Sequence, residues 1–243
     1  MKKDKTIGFT ELFLLIISIS LVFSATGIYF ANNSGFAPTS QSDIPSPVIV
    51  LDAGHGGEDG GASIYGDIPE KELNLLIARK LRDMLRFCGI NVVMTRDEDT
   101  LLYDKNSDYQ GKKKSQDLAK RLEITRSLPD AILISIHMNA FPEQKYKGLQ
   151  VYFSPHDEES YTLANMIQNN TRESLMTENT RKVKKADSKI YLLDRYEGVG
   201  ILVECGFMSN PEEYERLCSE RYRKELSFVM LGSVCEFLDE YAR

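Results

Sequence analysis

Residues 47–61 read PVIVLDAGHGGEDGG, and the change of character halfway along decides the fold. The first half is short, apolar and rich in β-branched side chains, and it stops at Gly54. A run of that length and composition reads as a strand buried on both faces. From Pro69 the period changes: Leu73, Leu76, Ile77, Leu81 and Leu85 recur at helical spacing until Gly89 stops them. The alternation then repeats. Strands are predicted at 90–95, 131–137, 148–154, 189–194 and 199–206, and helices at 115–128, 157–176, 211–219 and 220–241. Residues 96–115 read as a long charged loop. Strands alternating with helices predict a single α/β domain, a mostly parallel or mixed twisted sheet of about six strands with helices on both faces.

The first 31 residues differ. Three lysines fall within Met1–Lys5, and the 20 residues from Leu12 to Ala31 carry no charge. About 20 apolar residues suffice to span a bilayer, and the basic flank keeps the N-terminus inside. The reading favours an uncleaved membrane anchor over a cleaved signal peptide. Both readings export the rest. Residues 32–47, rich in Ser, Pro and Asn, are expected to be a flexible linker. The folded domain is then 48–243. A net charge of −6 excludes a general nucleic-acid binder. Cys88, Cys205, Cys218 and Cys235 lack the paired spacing of a disulfide framework or a thiolate zinc site, and are expected to be mostly buried thiols.

Sheets of this class bind ligands beyond the carboxyl ends of their strands. Asp52 and His55 follow the first strand, His137 ends the third and Glu204 ends the last. The glycine loop lacks the third glycine of a dinucleotide fingerprint, and it holds two acids and no lysine, so a phosphate cradle is disfavoured. A histidine flanked by glycines can instead be aimed into a cleft. Two histidines and one carboxylate, with a fourth position open to water, form a recurring catalytic zinc set. Glu58, Asp59 and Glu70 all compete as the carboxylate, and placement on a rigid helix favours Glu70. Glu204 ends an apolar strand, where desolvation would raise its pKa and suit it to general acid/base work. Asp52 is expected to cap the glycine loop, and His156 to be a loop residue without a chemical role.

VIVLDAGHGGEDGGA, PEKELNL, LISIHMNA and LVECGFMSNPEE together resemble the zinc-dependent N-acetylmuramoyl-L-alanine amidases of type 3, over essentially all of 48–243. The resemblance implies one Zn²⁺ per chain held by His55, Glu70 and His137, with Glu204 as the catalytic acid/base. It also implies peptidoglycan as substrate, cut between N-acetylmuramic acid and L-alanine. A single catalytic domain behind a hydrophobic segment, without wall-binding repeats, resembles the germination-specific spore-cortex type, whose action precedes muramic-δ-lactam formation. An exported location and a regulatory or activating protein partner are in keeping with that type. The chain departs from the family at Thr125-Arg126, where many relatives read Ala-Asn after Arg121-x-x-x, and at Met138, where many have Ala; both departures are expected to lie clear of the ligands. The rival functions are a zinc peptidase cutting within the stem peptide and a non-catalytic peptidoglycan-binding protein.

Overall fold

The computed structural model describes residues 47–65, 68–104 and 112–241. The expected anchor and nearly all of the linker lie outside the described residues, as do residues 105–111 of the charged loop. The described residues fall within one compact unit, Ser46–Arg243.

Six strands form one sheet: β1 (Val48–Ala53), β2 (Val92–Met94), β3 (Ala131–Asn139), β4 (Gln150–Phe153), β5 (Lys184–Lys185) and β6 (Gly200–Phe207), in the order β2-β1-β3-β6-β4-β5. The block β2-β1-β3-β6 is parallel throughout, β4 runs antiparallel to β6, and β5 is parallel to β4. The mixed sheet follows from the sequence reading. Helices α1 (Glu70–Phe87), α2 (Lys113–Arg126), α3 (Glu159–Leu175), α4 (Tyr191–Arg195), α5 (Pro211–Cys218) and α6 (Glu220–Tyr241) complete the fold.

Strand alternation divides the core in two. Ile49, Leu51 and Ala53 point into the larger cluster, with Leu73, Ile77 and Leu81 of α1 and Met230 and Val234 of α6. Val50, Leu133 and Leu202 point the other way, onto Leu122 of α2 and Leu192 and Leu193 of α4. Both faces of β1 are therefore dry, which is why its sequence is a continuous apolar run.

Three expectations are corrected. The segment 189–194 is not a strand: Tyr191–Arg195 is the short helix α4. Successive Leu192 and Leu193 are both buried on one sheet face, which strand alternation forbids and a helical turn permits. The place beside β4 is taken by Lys184–Lys185 instead. Of the four cysteines only Cys205 is buried; Cys88 is exposed, and Cys218 and Cys235 are partly covered.

The third correction concerns Asp52. It does not cap the loop, because its side chain points onto the α2 face of the sheet. There Thr95 Oγ1 (2.7 Å), Ser135 Oγ (2.6 Å) and Arg121 Nη1 (2.7 Å) donate to it. Arg121, 1% exposed, also pairs with Asp117 (2.8 Å) and donates to the carbonyls of Ala53 (2.8 Å) and His55 (2.7 Å). Arg96 reaches the same backbone from the other side, at Ala53 O (2.8 Å) and Gly54 O (2.9 Å). Two guanidiniums thus hold three consecutive carbonyls, where β1 turns into the glycine loop.

Burial pushes the Asp52 carboxyl up, but Arg121, Ser135 and Thr95 outweigh it and leave the pKa at about 2. A folded-state pKa below the unfolded value stabilises the fold above pH ~4, and that contribution disappears as the pH falls through about 2. The expected loss is about 2 kcal/mol per molecule, read as a falling denaturation midpoint across that window. Arg121→Ala is expected to destabilise the fold by about 3–5 kcal/mol in urea unfolding at neutral pH, because it strands two buried carboxylates.

Candidate active site

The four residues singled out from sequence meet at the carboxyl edge of the parallel block. His55 lies on the loop after β1, Glu70 opens α1, His137 is on β3 and Glu204 is its register partner on β6. The glycine loop builds this arrangement by two means. Its carbonyls satisfy the first N–H groups of α1, Gly60 O accepting from Lys71 N (3.1 Å) and Ala62 O from Glu70 N (2.9 Å). Its missing side chains also leave room. A Cβ on Gly54 would fall 2.2 Å from the His137 ring, and one on Gly61 2.5 Å from Glu70 Oε2. His55 itself sits at φ +62°, a left-handed conformation that a non-glycine residue holds only under constraint. The constraint is the Arg121 bond to its carbonyl.

Glu70 is the centre of the cluster. Its Oε1 lies 3.2 Å from His55 Nε2 and 3.0 Å from His137 Nδ1, and it accepts from Met138 N–H (3.1 Å). Its Oε2 accepts from Ala62 N–H (2.9 Å). Ligand atoms of His55, Glu70 and His137 all lie within 4.8 Å of one another, and together they could hold a metal ion. Of the competing acids, Glu58 is turned to Lys113 (2.7 Å). Asp59 Oδ2 stands 2.9 Å from His55 Nδ1, on the far side of the ring from the cluster and outside hydrogen-bond alignment. An outer carboxylate behind a ligand imidazole is the usual support of a metal-binding histidine. The donor set, two imidazoles and a carboxylate, suits zinc.

Electrostatics separate the two glutamates. Burial pushes Glu70 up, but hydrogen bonds and charge from His137 and His55 overcome it and hold the carboxyl far below its usual range. The reciprocal pull of Glu70 and Asp59 raises His55 against its own burial. Glu204 is raised to about 7, first by burial and then by the Glu70 charge, with His137 and His55 opposing. Its Oε2 is buried and has no hydrogen-bond partner among the described residues. It lines a cavity of about 240 Å³ with His55, His137, Lys114, Arg121, Lys189 and Tyr191. A larger cleft of about 620 Å³ between 145–148 and 175–181 contains no histidine. His156 stands apart, its Nε2 at 2.8 Å from Asp194 O.

The family model for N-acetylmuramoyl-L-alanine amidase matches residues 49–234. The chain belongs to this family. It is 34% identical over 211 residues to the germination-specific N-acetylmuramoyl-L-alanine amidase of Bacillus subtilis (strain 168), covering 87% of each chain. The CwlD amidase from Clostridioides difficile, solved in complex with the GerS lipoprotein, superposes with a TM-score of 0.75 at 34% identity, over 80% of this chain and 99% of that one. The amidase AmiC2 of Nostoc punctiforme superposes at 0.67 and 28% identity, over 80% and 98%. The protein is thus an N-acetylmuramoyl-L-alanine amidase, a hydrolase of peptidoglycan. Among the described residues, no helix is long and apolar enough to cross a membrane.

Of the two departures from the family pattern, Thr125-Arg126 lies clear of the cluster and Met138 touches it through its backbone alone; Arg121, where the chain keeps the family residue, also reaches it. Arg121 binds the His55 carbonyl, and Met138 donates its N–H to Glu70. Thr125 Oγ1 bonds back to Arg121 O (2.9 Å), and Arg126 is exposed. Arg96 was not singled out by the sequence at all. An arginine just after an apolar strand carries no local signal of burial. Gly54→Ala is expected to cost about 1–3 kcal/mol in chemical denaturation, because its Cβ has no space beside His137. Gly60→Ala, where a Cβ meets nothing within 4 Å, should be near neutral in the same measurement.

Proposed function

We propose that this amidase is zinc-dependent, with the metal held by His55, Glu70 and His137 and with Glu204 as the catalytic acid/base. The observation that carries the reading is the Glu204 carboxyl: buried and unpartnered at Oε2, on the same cavity as His55 and His137, and paired in register with His137. When bound, zinc acidifies a water ligand and polarises an amide carbonyl. Glu204 Oε2 accepts the proton of the attacking water, and the same oxygen returns it to the leaving amine of L-alanine. Arg121 and Arg96 keep the His55 loop in place through the cycle. Asp59, 2.9 Å behind His55 Nδ1, sets a negative charge against the imidazole. The cavity wall formed by Ile190, Tyr191 and Leu192 excludes bulk water from one side.

The biological setting proposed is the spore cortex, as the step that removes stem peptides before muramic-δ-lactam forms. Similarity to a germination-specific relative over 87% of both chains supports it. The chain is proposed to be exported, with 1–31 as anchor or signal, 32–47 as linker and 48–243 as the catalytic domain. A protein partner is proposed too, because the C. difficile relative was solved with a lipoprotein.

Digestion of purified peptidoglycan by the zinc-loaded protein, followed by mass spectrometry, should release stem peptides with a free L-alanine amine and leave peptide-free muramic acid in the glycan. Fragments cut within the stem would instead make it a peptidase. Glu204→Gln is expected to lower kcat by about 10²–10⁴-fold while metal content, read by atomic emission, stays at one zinc per chain. Chelation should abolish activity and added Zn²⁺ restore it.

A further inference from the structure

The sheet continues beyond Glu204 on the face that carries the cluster. Gln150 on β4 is the cross-strand partner of Glu204, and Tyr152, two residues on, is the partner of Lys184 on β5. Cross-strand partners share a face, as do residues two apart along a strand. Glu204, Gln150, Tyr152 and Lys184 therefore lie on one face of the sheet between the cavity and the sheet edge, with Gln150 itself buried beneath the 181–182 segment. The Lys184 ammonium sits 6.0 Å from the centroid of the Tyr152 ring. Lys189 lines the cavity that holds Glu204, and its side chain is exposed.

These cations belong to a segment unlike the rest of the chain. Residues 181–189, RKVKKADSK, carry five basic residues and one acid within a protein of net charge −6. Arg181 is engaged by its neighbours: it donates to Lys147 O (2.8 Å) and stacks over Phe207 at 4.5 Å. Lys185, next to Lys184 on a strand, falls on the opposite face. The acid, Asp187, accepts from the Lys189 backbone N–H at 2.9 Å. No hydrogen bond or ion pair engages the ammonium of Lys184 or Lys189 among the described residues.

We infer that Lys184 and Lys189 are specificity-determining residues that bind free carboxylates of the stem peptide on the leaving side of the scissile amide. The inference rests on Glu204 as the acid/base. A group that protonates the leaving amine stands on the peptide side of the bond, so the peptide runs from Glu204 across β4 toward β5. Two strand spacings, about 10 Å, separate β6 from β5, the reach of about three extended residues. A free carboxylate within about three residues of the scissile amide falls along that path. A lysine ammonium on a flexible stem suits such a target, whose position varies more than a fixed bidentate site would allow.

The test uses the zinc-loaded full chain and two matched muropeptides, one with free stem carboxylates and one with those carboxylates amidated. The double variant Lys184→Gln/Lys189→Gln is expected to raise KM for the free acid about tenfold, with kcat unchanged and with no change in KM for the amide. Raising the ionic strength should raise the wild-type KM for the free acid alone. An equal KM change on both substrates, or no change on either, would overturn the inference. Both side chains are exposed, and an unchanged melting temperature verifies that the variant is folded. Loss of the underlying reading shows separately: Glu204→Gln with undiminished kcat would remove the acid/base and the direction it sets, whatever the lysine variants do.

Discussion

A buried arginine holds the active-site edge together. Arg121 comes from α2, and its guanidinium meets Asp52 at the end of β1, Asp117 one turn away on its own helix, and the carbonyls on either side of Gly54. A charge taken out of water needs this many partners to be tolerated, and breaking such a set leaves others uncompensated. The consequence is geometric. With its carbonyl held, His55 keeps a left-handed backbone and projects toward β3. Gly54 and Gly61 leave the space in which the His137 ring and the Glu70 carboxylate close upon it.

The same edge places two carboxylates of one residue type in opposed environments. Glu70 is surrounded by imidazoles and backbone N–H groups, all of which favour its charge. Glu204 is buried beside that existing negative charge and has no donor at Oε2, so the neutral form gains. One glutamate is held as an anion suited to hold a cation, and burial shifts the other toward its neutral form. Division of labour between carboxyl groups by environment is a general route to acid/base chemistry at pH 7. Here it comes from sheet topology: β3 and β6 are neighbours, so a histidine and a glutamate in register face the same cavity.

Much of this could be read along the chain. The strand ending in a glycine loop, the helix opening at Glu70, and the apolar runs ending at His137 and Glu204 are local patterns, and each maps onto an observed element. Failures occurred where the pattern was short or its partner distant. KIYLLD is an apolar run of strand-like length, yet it became a helix because the sheet position was already filled and the α2 face needed covering. Asp52 was read as serving the adjacent loop, since its true partners, at Thr95, Arg121 and Ser135, are 43, 69 and 83 residues away. Arg96 and Arg121 look like surface arginines until both are seen on the same backbone.

The sequence by itself determined the α/β class and the family, and it marked His55, His137 and Glu204 as candidates with Glu58, Asp59 and Glu70 competing beside them, because hydrophobic periodicity and motif spacing are properties of neighbouring positions. Only the tertiary structure decided which acid lies between the histidines, what holds His55 in its strained conformation, and why burial favours the neutral form of Glu204 while donors favour the anion of Glu70. Those outcomes depend on charges and donors converging from strands and helices far apart in the chain, and burial makes each of those encounters strong.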